Sequence, residues 1–194
     1  MNKKIARSAV AVLVLVLTAC SGGEDRKTAQ SAQSAANAAT AKPASAPAFD
    51  FSAWVGANAD CKGEYFSDVQ EPSFAQTLSD AGVSVSEDSG IGEVGPGSGT
   101  LTSSKPIRLH GLPVRQVDYD FGSGSTFAVV VEASAEQAAA AIAAKPLPEV
   151  YSEYYKLGVP TAAPSEDVPM PDIQFVRPGE KPGTQEIGCA AFDA

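Results

Sequence analysis

Histidine occurs once in this chain, at His110, tryptophan once, at Trp54, and cysteine only three times. A zinc site draws three or four ligands from His, Cys or carboxylate groups, and no segment gathers such a set. A Ser–His–acid triad would have to use His110, yet the G-x-S-x-G elbow that presents a nucleophilic serine is missing. His110, on a strand just before Gly111-Leu112-Pro113, therefore reads as a turn-adjacent residue without a special role. Basic side chains are scarce too: 14 Lys and Arg stand against 23 Asp and Glu. In residues 49–194 the imbalance sharpens to 8 against 21, a net charge of −13. Such a surface repels phosphate backbones and anionic headgroups, which argues against nucleic acid as a partner and for a basic protein or a cation. Ala9 to Leu17 is the one long apolar run, and it is too short to cross a bilayer as a stable helix.

That run follows a basic start, Lys3, Lys4 and Arg7, and ends in Leu17-Thr18-Ala19-Cys20. The tetrapeptide resembles the lipobox of bacterial lipoproteins. The resemblance implies a signal peptide at 1–19, cleavage before Cys20, acylation of the Cys20 thiol (palmitate among the chains attached) and display outside the cytoplasm. Ser21 after the lipidated position resembles the pattern sent to the outer membrane in Gram-negative bacteria, facing the periplasm. Membrane contact is then expected through the lipid alone.

Cys61 and Cys189 remain, and two cysteines in an exported protein read as one disulfide. Residues 21–48 are mostly Ala, Ser, Gln, Thr and Asn with two prolines and no large apolar side chain. They cannot bury enough surface to fold, so 20–48 is expected to be a lipidated, flexible tether with a reach of roughly 30 Å.

Residues 49–194 have the length of one domain, without internal repeats. Phe74, Leu78 and Ala81 recur at helical spacing between Pro72 and Gly82, which predicts a short helix. Val117, Tyr119 and Phe121 alternate with Gln116, Asp118 and Asp120. Gly122-Ser123-Gly124 then turns into Ser125–Glu132, predicting a central hairpin. Ser134 with Gln137 forms a capping-box pattern before a second, alanine-rich helix over 135–144. Glu149 to Leu157 fits a strand or a helical turn. Six prolines between Val159 and Gly183 exclude most regular structure there, leaving Ile173–Val176 as an edge strand. Ile187–Phe192 reads as a final strand. The class predicted is α+β: a single small domain with an antiparallel sheet, two short helices and one disulfide.

Candidate chemistry is sparse. Gly90-Ile91-Gly92-Glu93-Val94-Gly95 matches the dinucleotide pattern G-x-G-x-x-G, but Pro96, Gly97 and Gly99 follow and prevent the helix that must meet a pyrophosphate. No cofactor is expected. Asp118 and Asp120 share one side of a strand with Cβ atoms roughly 6–7 Å apart, a spacing open to calcium, to acid–base work or to a plain solvated face. Trp54 reads as a core plug. Tyr151, Tyr154 and Tyr155 form either an interface group or a core pair with one exposed ring. Met170, Ile173, Phe175 and Arg177 are candidate anchors in the proline-rich segment, which either binds a partner or protects a sheet edge.

The function expected from these readings is a non-enzymatic, envelope-anchored protein-binding lipoprotein, an inhibitor or immunity protein against a basic toxin or cell-wall hydrolase. The alternative is an accessory lipoprotein of an envelope assembly or transporter that binds a small ligand or cation through Asp118, Asp120 and the 89–99 loop.

Overall fold

A computed structural model describes residues 48–86, 89–93, 97–122 and 124–192. The signal peptide, Cys20 and nearly all of the tether lie outside the described residues, as do Val94 and Gly95 of the glycine-rich pattern and Ser123 of the predicted turn. No described helix is long and apolar enough to cross a membrane.

Three helices open the fold: α1 (Phe51–Ala59), α2 (Tyr65–Gln70) and α3 (Phe74–Asp80). Asp50 caps α1 by accepting the Ala53 N–H at 3.1 Å, satisfying one of the orphan donors of the first turn. The chain leaves α1 through a Schellman ending: Lys62 N–H bonds Ala57 C=O and Cys61 N–H bonds Asn58 C=O, with Cys61 at φ 57°. Asn58 is buried and joins α1 to α2. It donates to the Trp54 carbonyl at 2.9 Å and accepts the Tyr65 N–H at 3.0 Å. The predicted helix over 72–81 is present as α3, with Phe74 and Leu78 inward.

The strands are β1 (Val83–Val85), β2 (Gly97–Ser103), β3 (Arg108–Leu109), β4 (Leu112–Gly122), β5 (Gly124–Glu132), β6 (Lys145–Pro146), β7 (Leu157–Pro160), β8 (Ile173–Pro178) and β9 (Thr184–Ala191). They form one antiparallel sheet in the order β1-β2-β4-β5-β9-β8-β7-β6, with β3 paired to β4. The last strand thus lies inside the sheet, running from Ser125↔Ala191 to Glu132↔Thr184 against β5. A register shift between Val114 and Gln116 marks a β-bulge in β4. Helix α4 (Ala135–Ala141) follows β5, with Ser134 and Gln137 closing the predicted capping box. A 3-10 turn spans Glu149–Tyr151.

One face of the sheet carries Leu101, Val117, Phe127, Val129, Val131, Val176 and Ile187, packed under the helices in the main core. Trp54 is part of that packing, stacked on Phe51 at 5.8 Å and edge-on to Phe127 at 5.3 Å, while its Nε1–H donates to Asp68. The opposite face is covered on one side only. There Tyr151 and Tyr155 bury Ala128, Ile173, Phe175 and Ala190, with Leu147, Met170 and Phe192 at the margin. Cys61 at the end of α1 is bonded to Cys189 of β9, Cα to Cα 5.1 Å across 128 positions.

Three expectations change. The domain is richer in elements than two helices: α1 buries Phe51, Val55 and Ala59 and α2 buries Tyr65 and Val69, each set at helical spacing, in a stretch for which no helix was expected. Ile173–Val176 belongs to an interior strand, since β8 pairs with β9 on one side and β7 on the other. Pro160 and Pro178 sit at the last positions of their strands and leave the ladder between them intact. His110 is in the turn, not on the strand. With Gly111 it makes the two-residue connection between β3 and β4, at φ 49° and 83°, as a type I′ hairpin requires.

Candidate functional site

The uncovered half of the second sheet face is a cleft of about 530 Å³. Its shape follows from residue size along two registered rows. Thr100, Asp118, Ala128, Gly188 and Phe175 lie side by side across five strands, and Gln116, Val130, Glu186 and Arg177 lie across the next row. Ala128 and Val130 give a low floor between polar walls. Ser86 and Ser98 stand at one rim, and Glu180, Lys181 and Thr184 from the β8–β9 turn at the other.

Asp118 is held by neutral donors. Its Oδ1 accepts from Thr100 Oγ1 at 2.7 Å, and Gln116 Nε2 lies 3.1 and 3.0 Å from its two oxygens. No basic side chain pairs with it among the described residues. On the other wall Arg177 donates Nε–H to Glu186 Oε2 at 2.5 Å. Its guanidinium also lies over the Phe175 ring at 5.1 Å and the Tyr155 ring at 5.7 Å, a cation–π arrangement that fixes its plane. Asp120, two residues along β4 from Asp118, is exposed. Among the described residues no three His, Cys, Asp or Glu side chains come together as a metal site.

A second cleft, of about 390 Å³, lies beside the disulfide and is lined by Asp60, Lys62, His110, Ala140–Ala143, Val159–Thr161 and Gln174. Asp60 is its hub: Oδ1 accepts from Gln174 Nε2 at 2.8 Å and stands 3.0 Å from His110 Nε2. The three described non-glycine residues with positive φ, Cys61, His110 and Ala143, all belong to this region. Each such conformation costs about 1–2 kcal/mol. Their causes are local: Cys61 and Ala143 end helices in Schellman motifs, and His110 occupies a type I′ turn. This concentration of strain is therefore accounted for by chain reversal.

The predicted anchors separate by burial. Tyr151, Tyr155 and Phe175 are core residues: Tyr151 donates to the Pro171 carbonyl at 2.9 Å, and Tyr155 packs on Phe175 at 4.7 Å between ring centres. They are not available as contact side chains, because alternation on β8 turns Ile173 and Phe175 toward the face that the two tyrosines cover. Met170 is half-buried against the same cluster. Tyr154 is 65% exposed, and Arg177 reaches the cleft. Burial raises the phenol pKa values of Tyr151 and Tyr119. Sequence reasoning missed Glu186 and the Thr100–Asp118 pairing, because both depend on which strands neighbour one another. The alternation of Asp118 and Asp120 was the one local signal that pointed to this face.

No protein-family model, curated protein or solved structure matches this chain.

Proposed function

We propose that this chain is a non-enzymatic capture protein, held on the cell envelope by a lipid on Cys20, that binds a basic protein such as a toxin or cell-wall hydrolase and blocks it. In a Gram-negative cell the Ser21 pattern would put it on the outer membrane, facing the periplasm. One observation carries the reading: the acidic charge is not neutralised within the fold. Residues 49–194 contain 21 acidic side chains, and the ion pairs among the described residues involve only Asp60, Glu132 and Glu186. Asp80, Glu93, Asp120, Glu136, Glu149, Glu153, Glu166 and Asp167 all face solvent. A field of this sign accelerates encounter with a cationic partner. The 28 residues of 21–48 would give the domain freedom to search a shell roughly 30 Å from its anchor.

The test is affinity capture from envelope and secreted fractions with the mature chain as bait, followed by association kinetics with the captured protein. A stoichiometric basic partner is expected, with an on-rate that falls at least tenfold between about 20 and 300 mM salt. A partner without excess positive charge, or a rate indifferent to salt, overturns the reading. Palmitate labelling that disappears in Cys20→Ala tests the anchor separately.

A further inference from the structure

We propose that the open cleft is a socket for one basic side chain, presented by a loop of the captured protein and seated on Asp118. The inference rests on the capture reading above and names the point of contact. The charges lining the cleft cancel in pairs except for one. Arg177 and Glu186 neutralise each other at 2.5 Å, and Glu180 and Lys181 are of opposite sign on the same rim. Asp118 is left, half-buried, with hydroxyl and amide donors orienting it and no basic side chain paired with it among the described residues. Partial burial matters because a carboxylate removed from bulk water is screened less by salt than the exposed acids elsewhere. Its remaining lone pairs are free to receive a guanidinium or ammonium, and charge-assisted hydrogen bonds of this kind are the strong ones.

The cleft also fits the rest of such a side chain. A floor of Val130, with buried Ala128 at its margin, suits the methylene stem of Arg or Lys, whose apolar length is stabilised by contact while the charged head stays polar. The Ser86, Ser98 and Thr184 hydroxyls at the rims can accept the hydrogen bonds that a carboxylate leaves unmade. The volume of about 530 Å³ admits a long side chain with its flanking backbone. Arg177 has a defined part in this arrangement. Paired with Glu186 and lying over the Phe175 and Tyr155 rings, it is held on the β8 side of the cleft rather than on Asp118.

Titration of the full chain, carrying Cys20→Ala to keep it unlipidated, with a hexa-arginine peptide and a hexa-lysine peptide tests the socket. Asp118→Asn should weaken binding at least tenfold while leaving the melting temperature within a few degrees, because the asparagine Oδ1 still accepts from Thr100 and its Nδ2 can donate to Gln116 Oε1 once that amide turns over. Glu136→Gln, which removes the same charge from an exposed helix turn, should weaken it less than twofold. Val130→Phe fills the floor without changing charge and should weaken it as Asp118→Asn does. Equal losses for Asp118→Asn and Glu136→Gln mean that only the general field attracts cations. That result overturns the socket and leaves the capture reading standing. Unchanged binding in Val130→Phe overturns the socket in the same way, even if Asp118→Asn fails to fold. If neither peptide binds at low salt and capture also yields no basic protein, both fail.

Discussion

Gly188 approaches Phe127 so closely across the β5–β9 pair that a Cβ at position 188 would stand 1.9 Å from the Phe127 carbonyl oxygen and 2.9 Å from the Ala128 Cα. The contact is backbone against backbone, so no side-chain rotation can relieve it. Gly188 also precedes Cys189, whose bond to Cys61 ties β9 to the end of α1. Gly188→Ala must therefore separate two central strands or bend one of them. The expected cost is about 3 kcal/mol, at the upper end for overpacking, seen as a fall in melting temperature of roughly 10 °C for a domain of this size. A shift of less than about 2 °C would show that β9 has more room than this spacing allows.

The positive φ residues make a prediction of the opposite sign. Ala143 closes the Schellman ending of α4 at φ 54°, with Ala144 N–H on Ala139 C=O and Ala143 N–H on Ala140 C=O. A glycine there avoids the steric penalty of the left-handed conformation, although it also adds freedom to the unfolded chain. Ala143→Gly is expected to stabilise by about 0.5–1 kcal/mol in urea denaturation. His110→Asn places the residue type that a type I′ turn prefers beside Gly111, and it removes a half-buried pairing with Asp60, whose carboxylate keeps its Gln174 donor. Its stability should stay within about 0.5 kcal/mol of the parent chain. His110→Val, β-branched at positive φ, should cost more than about 1 kcal/mol. If valine is tolerated as well as asparagine, the turn is not held in this form.

Local signals were legible in the sequence where the chemistry is local. Ser134 and Gln137 marked the start of α4, Phe74 and Leu78 the buried side of α3, and Cys61 with Cys189 the disulfide. Helix α1 was legible in part, since Phe51, Val55 and Ala59 recur every fourth residue, but Trp54 falls off that row and is placed by the Phe49, Phe74 and Phe127 rings around it. The prolines of 159–183 suggested irregular chain, yet only the N–H of each proline is lost. At Pro160 and Pro178 that loss falls at strand ends. The cleft was illegible for a different reason. Asp118 and Arg177 come to one face through the insertion of β9 between β5 and β8, and no spacing along the chain encodes that order. The tyrosine group was ambiguous because Tyr151, Tyr154 and Tyr155 can divide between core and solvent only once Phe175 and Ile173 are placed beneath them.

Tyr65 links stability to alkaline pH. Its hydroxyl is buried beside Ser125 without forming a hydrogen bond of normal geometry, and burial, opposed in part by that serine, pushes its pKa from 10.0 up to about 12. An unfolded chain ionises this phenol near pH 10, whereas the fold retains the proton until about pH 12. The stabilisation due to the neutral phenol is complete below pH 10 and is lost as pH rises through about 12, because the unfolded chain then binds fewer protons than the native one. Across that window the loss is about 2–3 kcal/mol. Tyr65→Phe removes the titration and the orphan hydroxyl together. At pH 7 it should be neutral or stabilising by up to about 1 kcal/mol. Between pH 10 and 12 its urea midpoint should decline less steeply than that of the parent chain, with Tyr119 and Tyr151, also raised by burial, sustaining the remaining slope. Parallel declines for the two chains would place the Tyr65 hydroxyl in contact with water.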